Sequence, residues 1–145
     1  MNRKQLTIVL IGLTFVLLIA AGCSKEQAPN IELKMAPMAD MPSTVRQAPV
    51  NVQQAYQFNI ANSDIMQQIP CYCGCGAVGH HSNFNCYANI DAAGKMTFDG
   101  HALGCSICVD ITTDTMRLLQ QGQDIPAIQA YVDNKYSQYG PPTTP

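Results

Sequence analysis

The chain contains no tryptophan, and only 12% of its 145 residues carry a charge. Lys and Arg never gather into a patch, so a surface for nucleic acid is not expected. No Ser–His–Asp pattern and no glycine-rich phosphate loop is present, which leaves thiols as the only catalytic chemistry in view. Cys-x-x-Cys-His is also missing, and with it the usual site of covalent haem attachment. No internal repeat is visible. What the chain does have is sulfur, as seven cysteines and seven methionines.

One long apolar run exists, and it stands at the beginning. Arg3 and Lys4 precede an uncharged stretch from Leu6 to Gly22 that ends Ala20-Ala21-Gly22-Cys23. A basic start, an apolar middle and small residues before a cysteine describe a secretory signal. They resemble a bacterial lipobox, with Cys23 diacylated as the mature amino terminus, although Ala20 stands where that motif more often has Leu. An uncleaved anchor is the alternative, because 17 apolar residues is near the minimum for a spanning helix. Either way the remainder is expected at the extracytoplasmic face of the bacterial cell membrane. Without residues 1–22 the chain keeps six Lys and Arg against ten Asp and Glu, a net charge of about −4.

Four divisions follow: a signal over 1–22, a tether over 23–50, a cysteine-rich helical domain over 51–140, and a tail over 141–145. The tether holds Pro29, Pro37, Pro42 and Pro49 among small and polar residues, which suggests partly polyproline-II chain. Met35, Met38 and Met41 recur within it every third residue. The preferred reading is a linker that happens to contain methionines; the alternative is thioethers sharing one polyproline-II face, which would suit Cu(I).

The expected fold class is mainly α. Val52, Ala55, Tyr56 and Ile60 give a helical face beginning near Asn51 as its cap. Ser63 or Asp64 starts a second short helix with Ile65, Met66 and Ile69, which Pro70 stops. Residues 70–100 show no sustained period and read as a structured loop. Within them, short extended pieces at Cys86–Ile90 and Lys95–Phe98 could flank a turn at Asp91–Gly94. A helix over about Ser106–Gln121 should end at Gly122, and Asp124 should cap the next, with Pro126 in its first turn. The two helices should form an antiparallel hairpin. A domain of about 90 residues buries a modest core, so a metal or disulfides would plausibly contribute to its stability.

With Cys23 assigned to lipid, six cysteines remain. In an exported chain an even number ordinarily means disulfides. Cys71, Cys73 and Cys75 resist that reading, because bridging residues two apart makes a strained ring. In an extended segment their side chains point to one side, with Cα atoms about 7 Å apart, and Gly74 and Gly76 allow the backbone to curl until the sulfurs converge. Closely spaced thiolates select Cu(I), Zn(II) or iron–sulfur clusters, and an exported location disfavours the last. Downstream, a helix reaching back to His101 would place His101, Cys105 and Cys108 on one face, although Gly104 weakens helix there. A helix starting near Cys105 would instead favour its thiolate. Of the adjacent His80 and His81, one can be a ligand while its neighbour faces away, and the sequence does not say which; His80 stands as the candidate. Cys86 joins as a candidate beside the other thiols. Tyr72 and Tyr87 are expected to pack rather than react.

Pro70–Cys75 reads PCYCGC, followed by Gly79-His80-His81-Ser82-Asn83, Cys86 and His101-Ala102-Leu103-Gly104-Cys105. Over roughly residues 48–140 the chain resembles the PCYCGC-motif family of bacterial lipoproteins, which implies a lipid-anchored protein. More locally, Cys105-x-x-Cys108 with Leu118, Leu119, Gly122, Ile128, Tyr131 and Tyr136–Gly140 is similar to the CcmH-type thiol-reductase proteins of cytochrome c maturation. Four additional cysteines depart from that pattern.

The expectation is therefore a membrane-anchored protein, more a binding protein than an enzyme, that captures or transfers a soft metal, Cu(I) first and Zn(II) second. Its metal ligands would come from Cys71, Cys73, Cys75, Cys86, His80, His101, Cys105 and Cys108, its lipid would sit on Cys23, and its partner would be a metal donor or acceptor protein. Two alternatives remain open. One is a thiol–disulfide oxidoreductase with Cys105 attacking and Cys108 resolving; the other is a disulfide-stapled binding lipoprotein.

Overall fold

A computed structural model describes residues 32–143. The expected signal, Cys23 and the first part of the expected tether lie outside the described residues. Among those described, the protein is mainly helical, with α1 (Ser43–Arg46), α2 (Val50–Ala61), α3 (Ser63–Met66), α4 (Ser106–Gln120) and α5 (Ile125–Tyr136). One two-stranded antiparallel sheet joins β1 (Ala88–Ile90) to β2 (Met96–Phe98), with Ala88 opposite Phe98 and Ile90 opposite Met96. No described helix is long and apolar enough to cross a membrane.

Helix α4 is central, packing against α2 on one side and α5 on another. Its apolar positions Val109, Ile111 and Leu118 are buried, as are Tyr56 and Phe58 of α2 and Ile128 and Val132 of α5. Full burial of side chains of this size is worth about 1.5–3 kcal/mol each. The α4–α5 connection forms as its residues dictate. Gly122 and Gln123 return their N–H groups to Leu119 and Leu118, and Asp124 Oδ1 accepts from Ala127 N–H at 3.0 Å. Pro126 sits harmlessly in the first turn of α5, where its missing N–H has no intrahelical partner to lose.

Three expectations change. Helix α2 begins at Val50 behind Pro49, with no side-chain cap from Asn51; the pre-set φ of proline starts the turn instead. From about residue 33 onward the tether packs on the domain. Met41 and Val45 are buried in the core, Ala36 N–H bonds to Gln57 O, and Asn62 Nδ2 donates to Lys34 O. The three methionines share no ligand face, since Met41 is buried while Met35 is exposed. At the other end, Thr143 is buried. Its N–H donates to Cys71 O at 2.8 Å, and its Oγ1 accepts from Cys71 N–H at 2.8 Å. The tail thus closes over the PCYCGC segment. Gly140 makes that approach close, because a Cβ there would stand 3.0 Å from Tyr72 O.

Candidate metal centre

The PCYCGC hexapeptide is anchored before it curls. Its Cys71 backbone is paired with Thr143 on both sides, and the Tyr72 hydroxyl donates to Asp133 of α5. Gly74 then takes φ 83°, in the left-handed region, where a side chain would be strained. A short 3-10 turn over Cys75–Val78 follows, and Gly79 at φ 89° sends the chain back towards the cluster. Gly76 does not use this freedom; it leaves room beside the Thr143 methyl.

The sulfurs converge as a result. Cys71 Sγ lies 3.4 Å from Cys73 Sγ and 3.7 Å from Cys108 Sγ, and Cys108 Sγ is 3.6 Å from Cys73 Sγ. Cys75 and Cys86 stand 3.5 Å apart. His101 Nε2 approaches Cys73 Sγ at 3.4 Å. None of the six described cysteines is in a disulfide, whose sulfurs would be about 2.05 Å apart. Four thiolates at about 2.3 Å from a tetrahedral ion would be separated by about 3.8 Å. The observed spacings lie just inside that edge length.

Two groups of four ligand atoms each fall within 4.8 Å of one another: Cys71, Cys73, Cys75 and Cys86, and Cys73, Cys86, His101 and Cys108. The cysteine and histidine cluster can therefore hold a metal ion. Its donors are soft sulfur with one imidazole, a set suited to Cu(I) or Zn(II) and poorly suited to Mg(II) or Ca(II).

The adjacent histidines separate. His80 is buried, with Nδ1 3.5 Å from Cys86 Sγ and Nε2 3.7 Å from Asp99 Oδ2. His81 is exposed, and its backbone N–H is held by Asn85. A carboxylate behind an imidazole helps to orient its ring. Asp99 Oδ1 accepts the His101 backbone N–H at 2.8 Å, so one side chain stands against both histidine-bearing segments. Its place two residues before His101 was the only sequence signal for this role.

Cys105 is not brought into either group of four. The helix does not extend back to His101: a 3-10 turn over His101–Leu103 ends at Gly104, and Cys105 is extended (φ −120°, ψ 102°) immediately before α4. That break removes the common face of the i, i+4 and i+7 spacing, yet His101 and Cys108 still meet the cluster from successive turns. Nor is the Cys105 thiol acidified at the helix start; burial pushes it up. Cys108 is fully buried one turn into α4. Asn83 Nδ2 donates to its carbonyl at 3.2 Å, and the Thr112 hydroxyl beneath lies 2.8 Å from both Asn83 Oδ1 and the Tyr87 hydroxyl. Asn59 Nδ2 of α2 donates to the same hydroxyl. This buried network fixes the loop, α2 and α4 together under the sulfurs.

Charge is unevenly shared among the thiols. Hydrogen bonds from Cys108 and Cys71 hold the Cys73 thiol far below its usual range, and the contact with Cys108 lowers Cys71 to about 7. Burial and the negative charge of neighbours push Cys75 up, while contacts with Cys71 and Cys73 push Cys108 up. One thiolate is stabilised by neighbouring S–H donors, and each further ionisation meets like charge in a poorly solvated place. A bound cation removes that obstacle.

A family described as "Protein of unknown function with PCYCGC motif" matches residues 13–145. The chain belongs to the PCYCGC-motif family. The match extends beyond the hexapeptide, from residue 13 through the packed segment after residue 33 to the closing tail. Neither a curated protein nor a solved structure matches the chain.

Proposed function

We propose that this PCYCGC protein is a lipid-anchored, extracytoplasmic carrier that captures or hands on a soft metal ion, Cu(I) first and Zn(II) second. The convergence of Cys71, Cys73, Cys75, Cys86, Cys108 and His101 at tetrahedral-edge spacing supports the reading. An almost all-thiolate donor set ranks Cu(I) ahead of Zn(II). Anchoring rests on the sequence alone, through the leader and Cys23.

Exchange with a partner protein has a route. Cys71, Cys75, Cys86 and Cys108 are buried, whereas Cys73 and His101 are only half-buried. An acceptor's thiolate could reach an ion from that side without opening the core. The disulfide-exchange alternative gains less support. A catalytic pair needs an accessible, acidified thiol; Cys105 is pushed the other way, and Cys108 is sealed from solvent.

The test is elemental analysis with free-thiol counting on full-length protein purified anaerobically from membranes. Metal together with unpaired thiols is the expected result. Protein that binds neither Cu(I) nor Zn(II) under reducing conditions sinks the proposal. Cys23→Ala should move the protein from the membrane fraction to the medium or the soluble fraction; retention in the membrane would sink the anchoring part.

A further inference from the structure

The two groups of four ligands are not separate sites. They share Cys73 and Cys86, and each adds two ligands of its own: Cys71 and Cys75 on one side, His101 and Cys108 on the other. Each group gathers four donor atoms within 4.8 Å of one another, and sharing two sulfurs between two such groups fits a pair of ions joined by bridging thiolates. A thiolate has the lone pairs to bind two cations, whereas a neutral imidazole binds through a single nitrogen. In keeping with that, both shared ligands are cysteines and the histidine is terminal.

Charge supports the same arrangement. No Lys or Arg of the described residues hydrogen-bonds to these sulfurs. The five thiolates of the two groups would retain three negative charges around one divalent ion and only one around two. With Cu(I) the second ion removes one further charge. Unbalanced charge in a buried site is costly, so a second cation relieves what the first leaves.

Resting on the reading of this protein as a soft-metal carrier, we infer that the centre is dinuclear: two ions of Zn(II) or Cu(I), bridged by Cys73 and Cys86, with Cys71 and Cys75 completing one position and Cys108 and His101 the other. Loading each position replaces S–H protons by metal, so binding releases protons and involves no change of oxidation state. His80 stands next to the Cys86 bridge and is backed by Asp99, which orients the bridge without completing either position.

The experiment titrates the reduced full-length protein in detergent with Zn(II), and separately with Cu(I), and reads stoichiometry by native mass spectrometry and neighbours by X-ray absorption. Two ions per chain, sulfur-dominated coordination and a metal–metal scattering path are expected. Cys75→Ser should reduce the count from two to one and abolish the metal–metal path. His101→Ala should do the same from the half-buried side, which keeps the test open if Cys75→Ser fails to fold. Cys105→Ser should retain both ions and the path. Saturation at one ion overturns the dinuclear centre and leaves the carrier reading standing. Two ions without a metal–metal path, or loss of an ion in Cys105→Ser, overturns the bridged assignment. No bound ion overturns this inference together with the carrier reading.

Discussion

The α4–α5 hairpin and the segment from Pro70 to Leu103 are held by different physics. In the hairpin, backbone hydrogen bonds are local and the apolar stripes of Val109, Ile111, Leu118, Ile128 and Val132 supply the packing. The cysteine segment has only single 3-10 turns and a three-residue strand pair. Much of its backbone is secured from a distance, as by Asn83 N–H on Ile69 O, Asp99 N–H on Tyr87 O, and Thr143 on Cys71. Phe84 and Tyr87 anchor its middle in the core, while its first part is held by Thr143 and Asp133 beside sulfurs that repel one another once ionised. With a metal as counter-charge to those sulfurs, a structure of the second kind would depend on its ligand; one of the first kind would not.

Metal removal should separate the two regions most sharply. Structural zinc supplies on the order of 10 kcal/mol in small metal-dependent folds. Chelation should greatly speed amide exchange over residues 71–80, while residues 108–118 remain protected and most far-UV helical signal survives. Equal loss of protection in both regions would show that the hairpin is as metal-dependent as the loop.

Ile111→Ala attacks the other half. Ile111 is fully buried, and such truncations cost about 2–5 kcal/mol. Urea unfolding should show this loss at similar size with and without metal. A cost confined to the metal-loaded form would dissolve the distinction between the regions.

Thr143→Val probes the seam between the tail and the hexapeptide. It keeps the shape of the side chain but leaves the Cys71 N–H without its acceptor, a loss of about 1–3 kcal/mol for a buried donor. Amide exchange at Cys71 should accelerate more than at Ile111; unchanged exchange at Cys71 would mean the tail does not secure the motif.

The smallest effect is expected in acid, on the hairpin. Burial alone would raise the Asp114 carboxyl, but hydrogen bonds from Lys135, Tyr136 and Arg117 outweigh it and hold it below the usual range. A depressed native pKa stabilises the fold above the unfolded value of about 3.9 and is lost as pH falls through the native one. Metal-free protein should therefore lose stability below about pH 4, and Asp114→Asn should flatten that fall. An unchanged profile in Asp114→Asn would remove this ion-pair group from the account of the hairpin.

The legible features were local. Gly122, Asp124 and Pro126 mark the turn between α4 and α5 because each acts within a few residues of itself. Asp91–Gly94 marks the β-turn for the same reason, with Asp91 Oδ1 accepting from Ala93 and Lys95 N–H. Cys-x-Cys-x-Cys announced a loop that could hold a metal, since two-residue spacing opposes pairing within itself. The less legible features were those where distant segments choose one another. The i, i+4, i+7 pattern grouped Cys105 with His101 and Cys108, but one extended residue before α4 turns it aside. The folding of residues 33–49 onto α2 was hidden because prolines and methionines resemble linker until Met41 and Val45 find a core to enter.

The sequence by itself determined a mainly helical domain, its terminal hairpin and a sulfur-rich loop built to curl, because capping, periodicity and glycine freedom are short-range properties. Only the tertiary structure decided that His80 faces the cluster and His81 faces water, that Thr143 locks Cys71, and that Cys73 and Cys86 stand in both groups of four. Those facts depend on angles accumulated over many residues, and a ligand shell of a few ångströms exists only where separate segments arrive together.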